Sequence, residues 1–464
     1  MNFVFIYAEV KANKMLKKFV CTAMTFLLLF GGISPILPAK ASEEVTINAE
    51  SAILIDANTG KILYEKRADE LLPPASMSKM MTEYLVLEAI HKQTISWDQK
   101  VPISDFVAEI SHESDASNVF LDPEQEYTVK DLYEAMAIES ANAATMALAE
   151  FVAGGSYERF VEMMNEKAKE LGLKDYVFVN STGLPNNMLK GRHVAGSEND
   201  EDRLTARSTA KLAYRLINDY PEVLETSSIP MKRFQGEVLP DADPLECLAD
   251  WTSMAHWNEM LKGLKHEYEG MLGLKTGYTE AAKYCFTGVA ERNGMRLISV
   301  VMRSDSQDQR FIDTKRLLDY GFNHFEVKEI LPKGAHVEGF ESLDVTNGKE
   351  KKVPISTTEP LKTIVKKGEE DLYEPVFVLD EEILNEEGEL TAPVKKDTIV
   401  GHVELKYNGD KEIRYIIDGG KEIVSVSTDA AVEKANWFIR MMRGIGGFFS
   451  GVFSSVVETV KGWF

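Results

Sequence analysis

Three short motifs stand in one order along the chain: Ser76-Met77-Ser78-Lys79, Ser140-Ala141-Asn142 and Lys275-Thr276-Gly277. Together they supply a hydroxyl nucleophile, an amine base, a proton relay and a cationic anchor, an acyl-transfer site that needs no histidine. Ser76 and Lys79 are three residues apart, so at a helix start both project from one face. A serine hydroxyl is a weak nucleophile until a base takes its proton, and Lys79 can be that base only when neutral. Burial, the positive end of a helix dipole and the second cation Lys275 would each lower its pKa. Each motif alone is a weak signal: Ser76 also suits a helix cap, Lys79 a solvated face, and Ser140 and Asn142 a plain helix junction. Their order and settings together point to one site.

The elements that must position these residues are readable in outline. Ala52–Ile55 and Lys61–Glu65 flank Asn58-Thr59-Gly60 and predict a hairpin. Pro73-Pro74 ends regular structure before Ser76, and apolar residues at 77, 80, 81, 84, 85 and 89 then follow helical spacing. A second helix is expected from Thr128, which with Asp131 forms a capping pair, to about Ile138. A further helix over Ala143–Val152 would leave Ser140 at a junction. The polar stretch 183–204 reads as a long loop bordering the site. Strands are expected at Met271–Thr276, Tyr284–Ala290 and, after an Asn293-Gly294 turn, Met295–Met302, followed by a helix over Phe311–Tyr320.

Around these motifs the chain resembles the serine D-alanyl-D-alanine carboxypeptidases, low-molecular-mass penicillin-binding proteins that trim bacterial peptidoglycan. Pro74–Thr82 reads nearly as that family's nucleophile segment. Leu171–Asp175, Thr182-Gly183-Leu184, Thr205-Ala206-Arg207 and Leu318–Phe322 look like further family blocks. The resemblance implies a mixed α/β fold, an antiparallel sheet flanked by helices of the β-lactamase/transpeptidase type, followed by a small all-β domain. It implies Ser76, Lys79 and Ser140 as catalytic residues, and Asn142, Lys275, Thr276, Gly277, Tyr278 and Arg310 as substrate-binding ones. Lys275 would anchor a terminal carboxylate with help from Arg310, whose other reading is an exposed arginine on a helix start. Gly277 would let the substrate backbone approach. The oxyanion donors would be the N–H groups of Ser76 and Tyr278. Expected partners are a peptidoglycan stem peptide and β-lactam inhibitors. The chain departs from the family pattern at Ala143, where an acid usually stands, and at Lys283 and Arg303, which replace glycines.

Composition narrows the alternatives. Lys14, Lys17 and Lys18 precede the apolar run Phe19–Leu37, and Ala39-Lys40-Ala41 is a small-x-small cleavage site, so residues 1–41 read as an export signal. The net charge is −22, and it becomes more negative once the lysine-rich leader is removed. That makes nucleic acid a poor partner. Only Cys247 and Cys285 remain beyond the leader, which excludes a disulfide framework. The eight histidines are scattered singly, no phosphate loop follows a strand, and no cofactor or metal is expected. A serine β-lactamase would need a Glu with Asn four residues on; the nearest candidate, Glu170, has Lys174 instead. A transpeptidase or endopeptidase on the same site, and a non-catalytic wall-binding scaffold, complete the alternatives. The expected organisation is a signal over 1–41, a catalytic domain over 42–325, an all-β domain over 326–430, with strands at short apolar-rich runs such as Val376–Leu379, Thr398–Leu405 and Arg414–Ile417, and an amphipathic tail over 431–464. That tail repeats Phe, Val, Ile and Trp at three- and four-residue steps. It would rest on the outer face of the cytoplasmic membrane.

Overall fold

The computed structural model describes residues 45–239 and 253–437; the expected export signal, Cys247 and residues 438–464 lie outside the described residues. Ser51–Asp56 and Ile62–Lys66 form the expected hairpin. Its turn is closed by the Asp56 carboxylate, which accepts from both the backbone N–H and the hydroxyl of Thr59 at 2.7 Å. The hairpin joins a five-stranded antiparallel sheet in the order 62–66, 51–56, 295–304, 283–292, 271–279. Asn293 and Gly294 both adopt positive φ, which gives the hairpin between strands 283–292 and 295–304 the twist it needs.

Both faces of this sheet are covered, so strands 51–56 and 295–304 are buried along nearly their whole length rather than at alternate residues. Ile53 and Ile55 join Ile298 and Val300 in the core shared with the helices. On the other face, Leu54 and Leu297 lie against the helix Gln307–His324, where a Cβ on Gly321 would meet Leu297 at 2.4 Å. The mixed α/β architecture is the expected one.

The helical elements fall where the sequence placed them, with one refinement. Thr128 and Asp131 form a full capping box at the start of Val129–Glu134. That helix then widens into a π turn over Ala135–Glu139 and ends at Ser140, whose φ is +61°. A new helix, Asn142–Val152, follows at once. π turns inside helices recur at functional sites because they re-aim the residues after them.

From Phe325 the chain forms a β domain. Six strands are ordered 373–379, 399–407, 423–428, 352–357, 342–346, 390–391, and a second pair joins 325–331 to 361–366. Val345, Val353, Ile355, Val403 and Val426 fill its core. Two expectations need correction. Arg414–Ile417 is not a strand of this domain; it docks on the catalytic hairpin, where Ile62 N–H donates to Arg414 O at 2.8 Å and Ile416 N–H to Gly60 O at 2.7 Å. The apolar side chain of Ile416 is thereby buried in the catalytic core. The β region also reaches past residue 430, because Val432 pairs with Val394 and is buried. Among the described residues no helix is long and apolar enough to cross a membrane.

Candidate active site

Ser76 lies in a short 3-10 turn, Ala75–Ser78, immediately before the helix Lys79–His91. Pro74 sets the approach, and Ala75 is held at φ +50°, a strained conformation for a residue with a Cβ. Two glycines clamp this turn. A Cβ on Gly183 would lie 2.0 Å from Ala75 O, and one on Gly277 would lie 2.3 Å from Pro74 O. Gly277 thus permits the close approach of its own strand to the nucleophile turn, while it also lines the cleft.

Lys79 is fully buried and its ammonium donates to three neutral oxygens: Ser76 Oγ at 2.9 Å, Asn142 Oδ1 at 2.8 Å and Thr182 O at 2.9 Å. Burial, then the charge of Lys275, hold its pKa well below the ordinary lysine value. The expected cause of the low pKa is thus present in the fold. Asn142 is itself fixed, since its side-chain amide and its backbone N–H both donate to Ser117 O at 2.9 Å. Ser140 lines the same cleft, and its hydroxyl is not hydrogen-bonded to Ser76 or Lys79.

The opposite wall is the strand Met271–Thr279. Lys275 is buried beneath it, with its pKa lowered first by desolvation and raised in part by Glu83. Thr276, Gly277 and Tyr278 face the cleft, and the Tyr278 ring packs on Tyr284 with centroids 4.6 Å apart. Arg310 is only 3% exposed, which removes its alternative reading as an exposed surface arginine. It points Nη1 at Gly277 O, 3.5 Å away, and burial pulls its pKa down to about 10. The cleft between these walls has a volume of about 270 Å³. It brings Ser76, Ser140, Asn142, Thr276, Gly277, Tyr278 and Arg310 together, with Lys79 and Lys275 behind it.

A model for D-alanyl-D-alanine carboxypeptidases matches residues 38–306, and one for the C-terminal domain of penicillin-binding protein 5 matches residues 325–434. The first match spans more than half of the chain. The chain belongs to the D-alanyl-D-alanine carboxypeptidase family. Among curated relatives, D-alanyl-D-alanine carboxypeptidase DacF of Bacillus subtilis is 34% identical over 373 residues, covering 80% of this chain and 85% of its own. DacC of Escherichia coli is 29% identical over 95% of both chains. Among solved structures, a peptidoglycan synthesis regulatory factor (PBP3) from Streptococcus pneumoniae superposes with a TM-score of 0.70 at 34% identity, covering 83% of this chain and 99% of that one. Penicillin-binding protein 5 of Haemophilus influenzae gives 0.63 at 26%, covering 84% and 98%.

The departures from the family pattern acquire a physical meaning here. Lys283 (φ +52°) and Arg303 (φ +62°) both occupy left-handed backbone, the conformation that glycine adopts freely. Sequence reasoning missed the support on the far side of Lys79. Asn180 Oδ1 accepts from the N–H of Thr182 and Gly183 and from the Thr182 hydroxyl, and so aims Thr182 O at the lysine. Asp202 Oδ1 in turn holds the N–H groups of Val179 and Asn180. The Asn180-Ser181-Thr182-Gly183 spacing, an Asx-type turn signature, was the available signal. Near the cleft, Glu259, His266 and Asp308 gather three potential metal ligands that the sequence scatters, although Lys265 already pairs with Asp308 at 2.6 Å.

Proposed function

We propose that this carboxypeptidase releases the terminal D-alanine of D-Ala-D-Ala stem peptides through an ester on Ser76, and that β-lactams trap the same ester. The observation that carries this reading is Lys79, buried without a carboxylate partner and 2.9 Å from the Ser76 hydroxyl. A neutral Lys79 takes the Ser76 proton as Oγ attacks the carbonyl carbon of the penultimate residue. The oxyanion forms beside the N–H groups of Ser76 and Tyr278. Ser140 passes the proton to the departing amine, so free D-alanine leaves and an acyl-ester remains. Lys275, Thr276 and Arg310 receive the substrate's carboxylate, while Asn142 holds Lys79 and a substrate amide. Water, activated through the same lysine, then hydrolyses the ester. In a β-lactam the ring amide is the bond that opens, and the leaving amine stays tethered.

The proposed organisation is an exported enzyme with a signal over 1–41, a catalytic domain over 42–325 and a β domain after it. The proposed membrane contact is confined to residues 438–464, because Val432 and Ala435 are already buried in the described chain. Its support is the aromatic and aliphatic repeat of that segment, with Arg440, Arg443 and Lys461 against Glu458.

The test is intact-mass measurement after incubation with penicillin, beside an assay of free D-alanine from a D-Ala-D-Ala pentapeptide. One added drug mass, absent in Ser76→Ala, is expected. Labelling that survives in Ser76→Ala would overturn the assignment.

A further inference from the structure

Trp257 and Gln307 line the cleft from two segments distant in sequence. Close to them along the chain, Glu259, His266 and Asp308 form a second group of side chains, none of which lines the cleft. The backbone returns His266 to Glu259: His266 N–H donates to Glu259 O at 2.8 Å, and Tyr268 N–H to Met260 O at 2.9 Å. The His266 ring packs on Phe311 with centroids 5.3 Å apart. Its Nε2 lies 2.9 Å from Asp308 Oδ1 and 3.7 Å from Glu259 Oε2, and one donor atom from each residue falls within 4.8 Å of the others. A tetrahedral zinc ion with bonds of about 2.0–2.1 Å holds its ligand atoms roughly 3.3 Å apart, so small side-chain movements close these three on an ion. The two oxygens of Glu259 differ. Oε1 accepts from Gln307 Nε2 at 2.5 Å, whereas Oε2 is shielded from solvent and accepts no hydrogen bond among the described residues. A carboxylate oxygen withdrawn from water without a donor is costly, and a bound cation removes that cost.

We propose that Glu259, His266 and Asp308 bind a divalent ion of the zinc type, with water in the fourth position. One imidazole nitrogen beside two carboxylates suits zinc and its transition-metal neighbours, whereas magnesium and calcium seek six or more oxygens. The resident competitor is Lys265, whose ammonium sits 2.6 Å from Asp308 Oδ1. Its side chain is 61% exposed, and a pair so open to solvent is weak, so the doubly charged ion displaces it. The bound ion clips the segment that carries Trp257 to the start of the helix Gln307–His324. That helix start also carries Arg310, so the clip ties together three residues of the cleft from outside it. The site stands apart from the acyl-transfer residues and does not depend on the carboxypeptidase reading.

The test titrates the full chain with zinc chloride by calorimetry and follows the visible absorption of cobalt(II) bound in its place. One zinc per chain is expected, with magnesium chloride giving no binding heat at the same concentration. His266→Ala, its fold checked by near-ultraviolet circular dichroism, should weaken zinc binding by roughly tenfold or more and lose the cobalt absorption. Zinc should raise the unfolding midpoint of the wild type and leave that of His266→Ala in place. Lys265→Met removes the competing ammonium at an exposed position and should tighten zinc binding by about twofold to fivefold. A wild type that takes up no zinc, or a His266→Ala variant that binds it as tightly, would overturn the inference. Should His266→Ala fail to fold, Lys265→Met decides the matter, and zinc binding there no tighter than in the wild type would overturn it.

Discussion

The catalytic region and the β domain use left-handed backbone differently. In the β domain the described residues with φ between +20° and +160° are glycines, Asn347 and Asp397, the residue types that adopt this conformation at little cost. The catalytic region places Arg67, Ala75, Ser140, Lys190, Lys283 and Arg303 there. Buried charge divides the same way. Lys79, Glu83, Asp202, Lys275 and Arg310 are buried around the cleft, whereas the one buried charged residue described in the β domain, Glu422, lies near Lys61 at the joint with the catalytic hairpin. Strain and desolvated charge persist only where surrounding structure over-determines them, and here two of the strained positions are Ala75, next to the nucleophile, and Ser140, the proposed relay. Among the described residues the core of the β domain is apolar, and its buried charge is confined to Glu422. That domain's Arg414–Ile417 segment docks on the hairpin edge of the catalytic region.

The sharpest way to break this contrast is to disturb each region by one side chain. Lys79→Ala removes the base and should lower the rate of penicillin acylation by about 10³-fold or more, with the fold retained. Near-normal acylation in that variant would end the proton-transfer scheme. Ile355→Ala in the β core should instead cost about 2–5 kcal/mol in denaturant unfolding and leave kcat alone. A loss of kcat in Ile355→Ala would show that the β domain shapes the cleft.

A smaller effect concerns pH. The base form of Lys79 is the neutral amine, so acylation is retained above its lowered pKa and lost as pH falls through it. Glu83 stands one helical turn along from Lys79 and, when ionised, raises the lysine's pKa against the pull of burial. Burial in turn pushes the Glu83 carboxyl well above the usual carboxylate range. Glu83→Gln should therefore move the acid limb of the acylation–pH profile to lower pH. Glu422→Gln, at the joint, should leave that limb in place. A limb unmoved by Glu83→Gln would mean that Glu83 does not act on the base.

Much of this was readable from local pattern. The nucleophile segment, the Thr128–Asp131 cap, the junction at Ser140 and the Asn293-Gly294 turn each carry their signal within a few residues, where sequence is most informative. What sequence did not show was set by distant contacts. The third acceptor on Lys79 is the carbonyl of Thr182, and a backbone carbonyl has no side-chain signature. The burial of Arg310 depends on a strand 33 residues away in sequence. Arg414–Ile417 has the composition of a strand, and only the three-dimensional arrangement shows that its partner is the first hairpin of the chain. The contact of Gly277 with Pro74, which leaves no room for a Cβ, joins residues some 200 positions apart and has no local signature.

The smallest predicted effect tests the backbone side of the comparison. Lys283 sits at φ +52° and pairs with Asp305 at 2.9 Å on an exposed surface. Relieving the left-handed strain of a non-glycine residue gains about 1–2 kcal/mol. Glycine gives back about 0.4–1 kcal/mol through the greater freedom of the unfolded chain. An ion pair this exposed contributes only a few tenths, roughly 0.2–0.5 kcal/mol. Lys283→Gly should therefore raise stability by about 0.5 kcal/mol, read as a small rise in the denaturant midpoint at unchanged slope. Lys283→Ala keeps the strain and loses the pair, so it should be slightly less stable than the wild type. Asp397→Gly in the β domain should gain less than Lys283→Gly, because aspartate tolerates left-handed backbone better than lysine does. The informative quantity is the gap between the glycine and alanine variants at 283, since both lose the same ion pair and differ mainly in backbone freedom. If the two unfold at the same midpoint, the strain at Lys283 is not felt, and the contrast between the two regions reduces to their buried charges.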